Sequence, residues 1–125
     1  MELNDVGREV VDSAVLVHRE LGPGLLESVY EQVLALELGG RGLFVERQVP
    51  VDIRYRDQVI SVGFRADIVV ERSVILELKS VEKVNNVHKK QLLTYLRLAD
   101  FKLGYLLNFG EELMKNGITR SVNGL

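Results

Sequence analysis

The spacing of apolar residues predicts that the first third of the chain is helical. Between residues 4 and 21 the apolar positions recur every three or four residues, as on one face of a helix: Val6, Val10, Ala14, Val17 and Leu21. Asn4 or Asp5 is the expected N-cap, and Gly22-Pro23-Gly24 ends the helix. Similar spacing predicts a second helix over residues 26–38, ended by Gly39-Gly40.

From Leu43 onward the apolar period changes to two, which is typical of strands. Three strands are predicted over residues 43–55, 59–70 and 74–81, with turns at 56–58 and 71–73. Residues 86–99 return to helical spacing, and residues 102–109 and 118–122 are predicted strands. The order predicts an α/β fold in which a central mixed sheet of about four or five strands is flanked by helices.

Composition narrows the class of protein. The 125 residues fit one domain spanning 1–125, and 46% hydrophobic with 27% charged residues is ordinary for a globular chain. The absence of cysteine excludes disulfides and thiolate metal sites. Neither a signal peptide nor an apolar run of about 20 residues is present, so we expect a cytoplasmic protein without a membrane partner.

The net charge argues against a general nucleic-acid-coating protein but does not exclude an enzyme that acts on nucleic acid. The net charge of −2 and the sequence pI near 5.7 argue against a general nucleic-acid coat, which carries a basic surface. An acidic chain can still act on nucleic acid, because metal ions and a local basic patch can supply the attraction.

The third predicted strand, ILELKSV, places charge inside an apolar segment. Alternation puts Ile75, Glu77 and Lys79 on one face of the strand. The simplest interpretation is a surface strand whose charged side faces water.

The preceding strand, GFRADIVVE, adds a second acid. Alternation predicts that Asp67 shares a face with Arg65 and Val69, and that Ala66, Ile68 and Val70 share the other. If the turn at 71–73 makes Val70 face Val74, Asp67 falls opposite Glu77.

Two carboxylates placed opposite each other in a sheet repel. A bound Mg²⁺ or Mn²⁺ would remove that repulsion, since hard cations prefer carboxylate oxygens, and Lys79 would then lie beside the metal. The alternative is that Asp67 faces solvent and pairs with Arg65 or Lys79.

Three motifs resemble those of known nucleases. Asp67 followed, after a gap, by Glu77-Leu78-Lys79 resembles the PD-(D/E)XK nuclease superfamily, with Ala66 in place of the motif's proline. The stretch GLLESVY, residues 24–30, resembles the GxxExxY pattern of a family of small bacterial proteins placed in that superfamily, and the likeness extends over almost the whole chain. QLLTY, residues 91–95, resembles the Gln-x-x-x-Tyr motif of RecB-like and λ-exonuclease-like nucleases.

The resemblance implies a restriction-endonuclease-like core and a metal-dependent nuclease that acts on nucleic acid, with DNA as the expected substrate. It implies that Asp67 and Glu77 are the principal ligands of Mg²⁺ or Mn²⁺. The Leu78 carbonyl is implied as a further ligand, and Glu27 completes the metal shell directly or through water. Lys79 is implied as the catalytic lysine.

Further roles follow from the helix at 86–99. The resemblance implies that Gln91 positions the substrate or Lys79, supported by Tyr95 one helical turn later. His88, Lys89 and Lys90 are candidates for substrate phosphates, Lys89 and Lys90 together with Lys83 as a basic rim. The simpler expectation is that His88 and these lysines are solvated.

Several alternatives stay open at this stage. Glu27 can simply complement the dipole of its helix, and Tyr30 is expected in the core, anchored by its hydroxyl. The whole protein can be a non-catalytic module that binds nucleic acid or protein on a nuclease fold. A homodimer is a further expectation, since dimers are common among small proteins. His18 has no assigned role.

Overall fold

The computed structural model describes all residues from 1 to 125. It contains three α-helices: α1 at Leu3–Leu21, α2 at Glu27–Gly40 and α3 at Asn86–Ala99. Its five strands are β1 at Val45–Tyr55, β2 at Gln58–Val70, β3 at Val74–Lys79, β4 at Leu103–Asn108 and β5 at Ile118–Val122. A short 3₁₀ helix at Met114–Asn116 precedes β5.

The strands form one mixed sheet in the order β1-β2-β3-β4-β5. All neighbours are antiparallel except β3 and β4, which are parallel and are connected through α3. Because β3 and β4 run in the same direction, their carboxyl ends, Lys79 and Asn108, lie side by side. The predicted α/β class and the mixed sheet of four or five strands are confirmed.

Each face of the sheet is covered by different helices. A cluster of 18 buried residues packs the sheet against α1 and α2, which contribute residues such as Val10, Tyr30 and Leu34. A smaller cluster of seven buried residues packs the opposite face against Leu92 and Leu96 of α3. We call these two sides the α1/α2 face and the α3 face.

Several element boundaries differ from the sequence prediction: α2 includes Gly39 and Gly40, which were expected to end it, and β1 begins at Val45 rather than Leu43. The strand predicted over residues 74–81 ends at Lys79, and the Asn108 side chain then bonds to both the N–H and the carbonyl of Val81. Helix α1 begins at Leu3 rather than after Asn4 or Asp5, because the Asp5 carboxylate accepts the backbone N–H of Glu2 at 3.2 Å. The predicted bounds of α3 and β5 match the structure.

The loop between α1 and α2 is held by a buried tyrosine. Tyr30 is fully buried and stacks on Phe109 with ring centroids 4.4 Å apart. Its hydroxyl donates to the carbonyl of Gly22 and accepts the N–H of Leu25. Gly24 has φ 96°, a conformation that glycine adopts without steric cost. The expected core role of Tyr30 is therefore confirmed. None of the helices has the length and hydropathy needed to span a membrane.

Candidate active site

The predicted register between β2 and β3 is confirmed. Val70 pairs with Val74 and Ile68 pairs with Leu76, and continuing this register places Asp67 opposite Glu77. Backbone pairing stops at Ile68, however, and the Asp67 carboxylate takes over. Its Oδ2 accepts the backbone N–H of Leu78 at 2.8 Å. The two acids therefore meet where the regular sheet ends.

The predicted face alternation along β2 is wrong across Asp67. Ala66 packs on the α3 face, whereas Ile68 and Val70 pack on the α1/α2 face, so residues expected on one side are divided between two. The physical cause lies in the neighbouring strand, where Gln48 has φ 51°, in the left-handed region. Regular pairing of β1 with β2 skips Gln48 and Asp67, and both strands change sides at this point.

The predicted alternation along β3 is confirmed. Leu76 and Leu78 pack on the α1/α2 face, and Ile75 packs on the α3 face, so Glu77 and Lys79 follow Ile75 on the α3 side. Glu77 is only partly exposed, and its Oε1 atom is buried without a hydrogen-bond partner. A buried carboxylate oxygen without a partner is costly for stability alone.

Burial and repulsion perturb both acids. Loss of hydration, followed by repulsion from Asp67, raises the pKa of Glu77 to about 8, against the opposing effect of Lys79. Burial also raises the pKa of Asp67, opposed by the hydrogen bond from Leu78 and reinforced by the charge of Glu31. The site therefore favours a bound proton or cation over two free carboxylates.

The donor atoms at this point suit a divalent cation. Carboxylate oxygens of Asp67 and Glu77 are hard ligands, and the unpartnered Oε1 of Glu77 has no other role in the structure. Because a residue's N–H and carbonyl point the same way from a strand, the Leu78 carbonyl faces the same gap as its N–H. No three His, Cys, Asp or Glu side chains lie close enough together to hold a metal ion between them. Asp67 and Glu77 would thus supply two carboxylate ligands. This number suits Mg²⁺, which usually keeps several water molecules as its remaining ligands.

Glu27, the acid of the GxxExxY pattern, lies at the start of α2. It is the first residue of α2, is exposed, and makes no hydrogen bond or ion pair. One turn later Glu31 is 7% exposed, and its charge acts on Asp67. Sequence reasoning missed Glu31. The available signal was its spacing from Leu34 and Leu38, which places it on the buried face of α2.

Gln91 and Tyr95 lie together on α3, as their spacing predicts. Tyr95 stacks on Phe64 with centroids 3.8 Å apart and planes at 4°. Burial, and then the charge of Glu77, raise the pKa of Tyr95, while a hydrogen bond from Gln91 lowers it. The Phe64–Tyr95 stack thus links α3 to β2 beside the two acids, and the exposed Gln91 lies one helical turn before Tyr95.

The basic residues near the start of α3 divide into two groups. Lys83 and Lys89 line a cavity of about 200 Å³ at the carboxyl ends of β3 and β4, with Asn108 and Thr119 among its other walls. Lys90 is exposed and does not line it. None of the chain's ion pairs involves a lysine.

The two histidines are both at least partly buried, which was not expected for His88. His88, expected to be solvated, is partly buried, and its Nδ1 atom is buried without a hydrogen-bond partner. His18 is buried, and its Nε2 donates to the carbonyl of Glu111 at 2.7 Å. His18 also lines a cavity of about 490 Å³, which Asp67, Glu77 and Lys79 do not line.

Comparison with known proteins points to one family. A family model described as PD-(D/E)XK nuclease superfamily matches residues 4–121. A solved structure titled "Crystal structure of SSO0001" is similar at 21% sequence identity and a TM-score of 0.45. The match covers 93% of this chain and 63% of that one, so the chain spans less than two thirds of that protein. No curated protein sequence gives a significant match.

Proposed function

The chain belongs to the PD-(D/E)XK nuclease superfamily, and we propose that it hydrolyses phosphodiester bonds in nucleic acid with Mg²⁺ or Mn²⁺. Its mixed sheet and helices are consistent with the restriction-endonuclease-like core expected from the sequence. The observation that carries the proposal is the meeting of Asp67 and Glu77 where the β2–β3 pairing ends, next to Lys79. DNA is the proposed substrate.

Asp67 and Glu77 would hold the cation, with the Leu78 carbonyl as a further ligand. When bound, the cation would supply Lewis acidity toward the phosphate and acidify water. Asp67 is already oriented, because its Oδ2 accepts the Leu78 N–H at 2.8 Å. The free Oε1 of Glu77 is available to a ligand without breaking a protein hydrogen bond.

Lys79 would stabilise charge that develops on the phosphate. It has no ion-pair partner within the chain, yet its charge reaches both Asp67 and Glu77. A cation held beside the reacting phosphate stabilises the transition state more than the ground state, because negative charge accumulates during attack. We therefore assign Lys79 the role of catalytic lysine.

Residues of α3 would contact the rest of the substrate. Gln91 is exposed one helical turn before Tyr95, so it can present its amide to a phosphate or to Lys79. His88, Lys89 and Lys90 would meet phosphates of the flanking nucleotides; Lys89 and Lys83 line one cavity, which also contains Glu111. Glu27 would complete the metal shell directly or through water.

Finer features of the proposal come from the motifs. The GLLESVY and QLLTY stretches support a place for the chain among GxxExxY and RecB-like members of the superfamily. We propose that residues 1–125 work as one nuclease domain. A homodimer would give so small a domain more surface with which to grip a duplex.

A cleavage panel tests the proposal. Labelled single-stranded, duplex and branched DNA and RNA are incubated with Mn²⁺, Mg²⁺ or chelator, using the wild type, Lys79→Ala and Lys102→Ala. Lys102 precedes β4 and lies at the amino ends of the parallel strands, whereas Lys79 lies at their carboxyl ends. Lys102→Ala therefore removes one positive charge away from the site. We expect metal-dependent cutting that Lys79→Ala loses and Lys102→Ala retains. A folded wild type that binds Mn²⁺ but cuts no substrate would instead favour the non-catalytic binding module.

A further inference from the structure

Glu31 is a buried acid whose two oxygens are both engaged. Its Oε1 accepts the amide of Gln48 at 2.6 Å, and its Oε2 accepts Nε and Nη2 of Arg47, each at 3.0 Å. The side chain of Glu31 is 9% exposed and that of Arg47 is 45% exposed. The carboxylate is therefore fixed from two sides at the contact between α2 and β1.

Gln48 lies between two carboxylates. The nitrogen that donates to Glu31 is also 3.5 Å from Oδ1 of Asp67, so the two N–H groups of one amide face two acids. The Gln48 backbone is held at φ 51°, which costs a non-glycine residue about 1 kcal/mol. Strained backbone of this kind persists where the surroundings determine it and is frequent at functional sites.

A purely structural role explains this arrangement incompletely. An Arg47–Glu31 pair alone could fasten α2 to β1, but it would not require the second oxygen of Glu31 to hold the Gln48 amide beside Asp67. The connection from Glu31 through Gln48 ends on the one oxygen of Asp67 that the Leu78 N–H leaves free. The Gln48 amide therefore lies within 3.5 Å of the Asp67 oxygen that the sheet pairing does not use.

We propose that Glu31 is a positioning residue of the active site, acting through Gln48 to orient Oδ1 of Asp67. Arg47 balances the charge of Glu31, and Glu31 performs the orienting task from α2 that its neighbour Glu27 is too exposed to perform. The metal-related part of this inference rests on the proposed function. The connection to Asp67 does not.

The Glu31→Gln substitution tests the connection. An amide at this position can accept hydrogen bonds only at its oxygen, so when Arg47 takes that oxygen, the NH₂ group faces the donor of Gln48. The Gln48 amide then loses its acceptor and ceases to fix Asp67. Glu37→Gln is the matched control, because Glu37 is also on α2 and pairs with an arginine, Arg41, at 2.8 Å.

Mn²⁺ binding, measured by calorimetry without substrate, is the first readout. Residues that orient metal ligands typically change metal affinity by about 10–100-fold when replaced. We expect a loss in that range for Glu31→Gln and for Gln48→Met, which removes the donor directly, and no change for Glu37→Gln. In cleavage, kcat should fall while KM changes little. If Glu31→Gln matches Glu37→Gln in Mn²⁺ affinity and kcat, Glu31 is only a structural anchor and the proposal is overturned.

Unfolding of the metal-free protein supplies a readout that does not depend on nuclease activity. Glu31→Gln and Asp67→Asn belong to one hydrogen-bonded network, so their effects on the midpoint of urea unfolding should not add. Glu37→Gln and Asp67→Asn should add. Additive effects for both pairs would overturn the proposal, whereas a wild type that neither binds Mn²⁺ nor cuts would overturn only the proposed nuclease.

Discussion

The Glu77→Gln substitution should stabilise the metal-free protein at alkaline pH while removing its metal site. Glu77 has a buried oxygen without a partner and faces the carboxylate of Asp67. Glutamine keeps the size of the side chain, carries no charge and can donate an N–H to Asp67. The substitution therefore removes repulsion and desolvation together.

The direction in which stability changes with pH follows from proton binding by Glu77. Burial raises the pKa of Glu77 from 4.5 to about 8, so between these values the folded protein holds a proton that the unfolded chain has released. Stability must then decrease as pH rises through this range, because the folded state binds more protons. Below about pH 4.5 both states are protonated, and the penalty is absent.

The pKa shift sets an upper limit to the destabilisation that ionised Glu77 causes. The difference between 4.5 and about 8, at about 1.4 kcal/mol for each pH unit, corresponds to about 5 kcal/mol above pH 8. Partial exposure of Glu77 and proton sharing with Asp67 lower this value. We expect Glu77→Gln to be about 2 kcal/mol more stable than wild type at pH 8.5, within the range seen when functional strain is removed.

Urea unfolding between pH 5 and pH 9 in chelator is the assay. The wild type should lose stability as pH rises, and Glu77→Gln should lose much less. Glu37→Gln, which breaks an ion pair outside the site, should show the pH dependence of wild type. Mg²⁺ at ten times its dissociation constant should restore about 1.4 kcal/mol to wild type and nothing to Glu77→Gln. A wild type whose stability is constant from pH 5 to 9, or a Glu77→Gln variant that is less stable at pH 8.5, would refute the reasoning.

Two further predictions concern the substrate and the loop. Lys89→Gln should lower the slope of log affinity against log salt for duplex DNA by about 0.9, the loss of one phosphate contact, whereas Lys102→Gln should not; equal slopes would remove Lys89 from the interface. Tyr30→Phe should lower the free energy of unfolding by about 1–3 kcal/mol, because Gly22 and Leu25 lose their partner while the ring stack remains; a change below about 0.5 kcal/mol in urea unfolding would contradict this.

The pairing of the two acids was predictable because local rules determine it. A three-residue turn between Val70 and Val74 sets the register of the hairpin, and the register brings Asp67 to Glu77. The bounds of α3 were equally local, since Asn85 caps its first turn by accepting the N–H of Val87 at 3.0 Å. Periodicity and turn length carry this information directly.

The change of face at Gln48 and Asp67 was not predictable from the same rules. Alternation assumes extended backbone, whereas Gln48 is left-handed, and no glycine or asparagine marks the position. The role of Glu31 was hidden for a related reason. An acid on a helix is expected in water, and only the fold brings Arg47 and Gln48 onto it. Both features depend on contacts between α2, β1 and β2 that no single segment encodes.

The positions where pattern rules fail are those with the clearest chemical use. If β2 continued its regular pairing with β3, the Leu78 N–H would bond to backbone. The Asp67 carboxylate would then have no free N–H to accept between the two strands. Ending the pairing at Ile68 instead exposes polar backbone that an acid, and then a cation, can satisfy. The two buried clusters on either side hold the sheet while this interruption persists. The register sets Asp67 opposite Glu77, and the departure from ideal strand geometry turns the Asp67 carboxylate toward the Leu78 N–H; a substitution that restored regular pairing should therefore stabilise the fold and abolish the site.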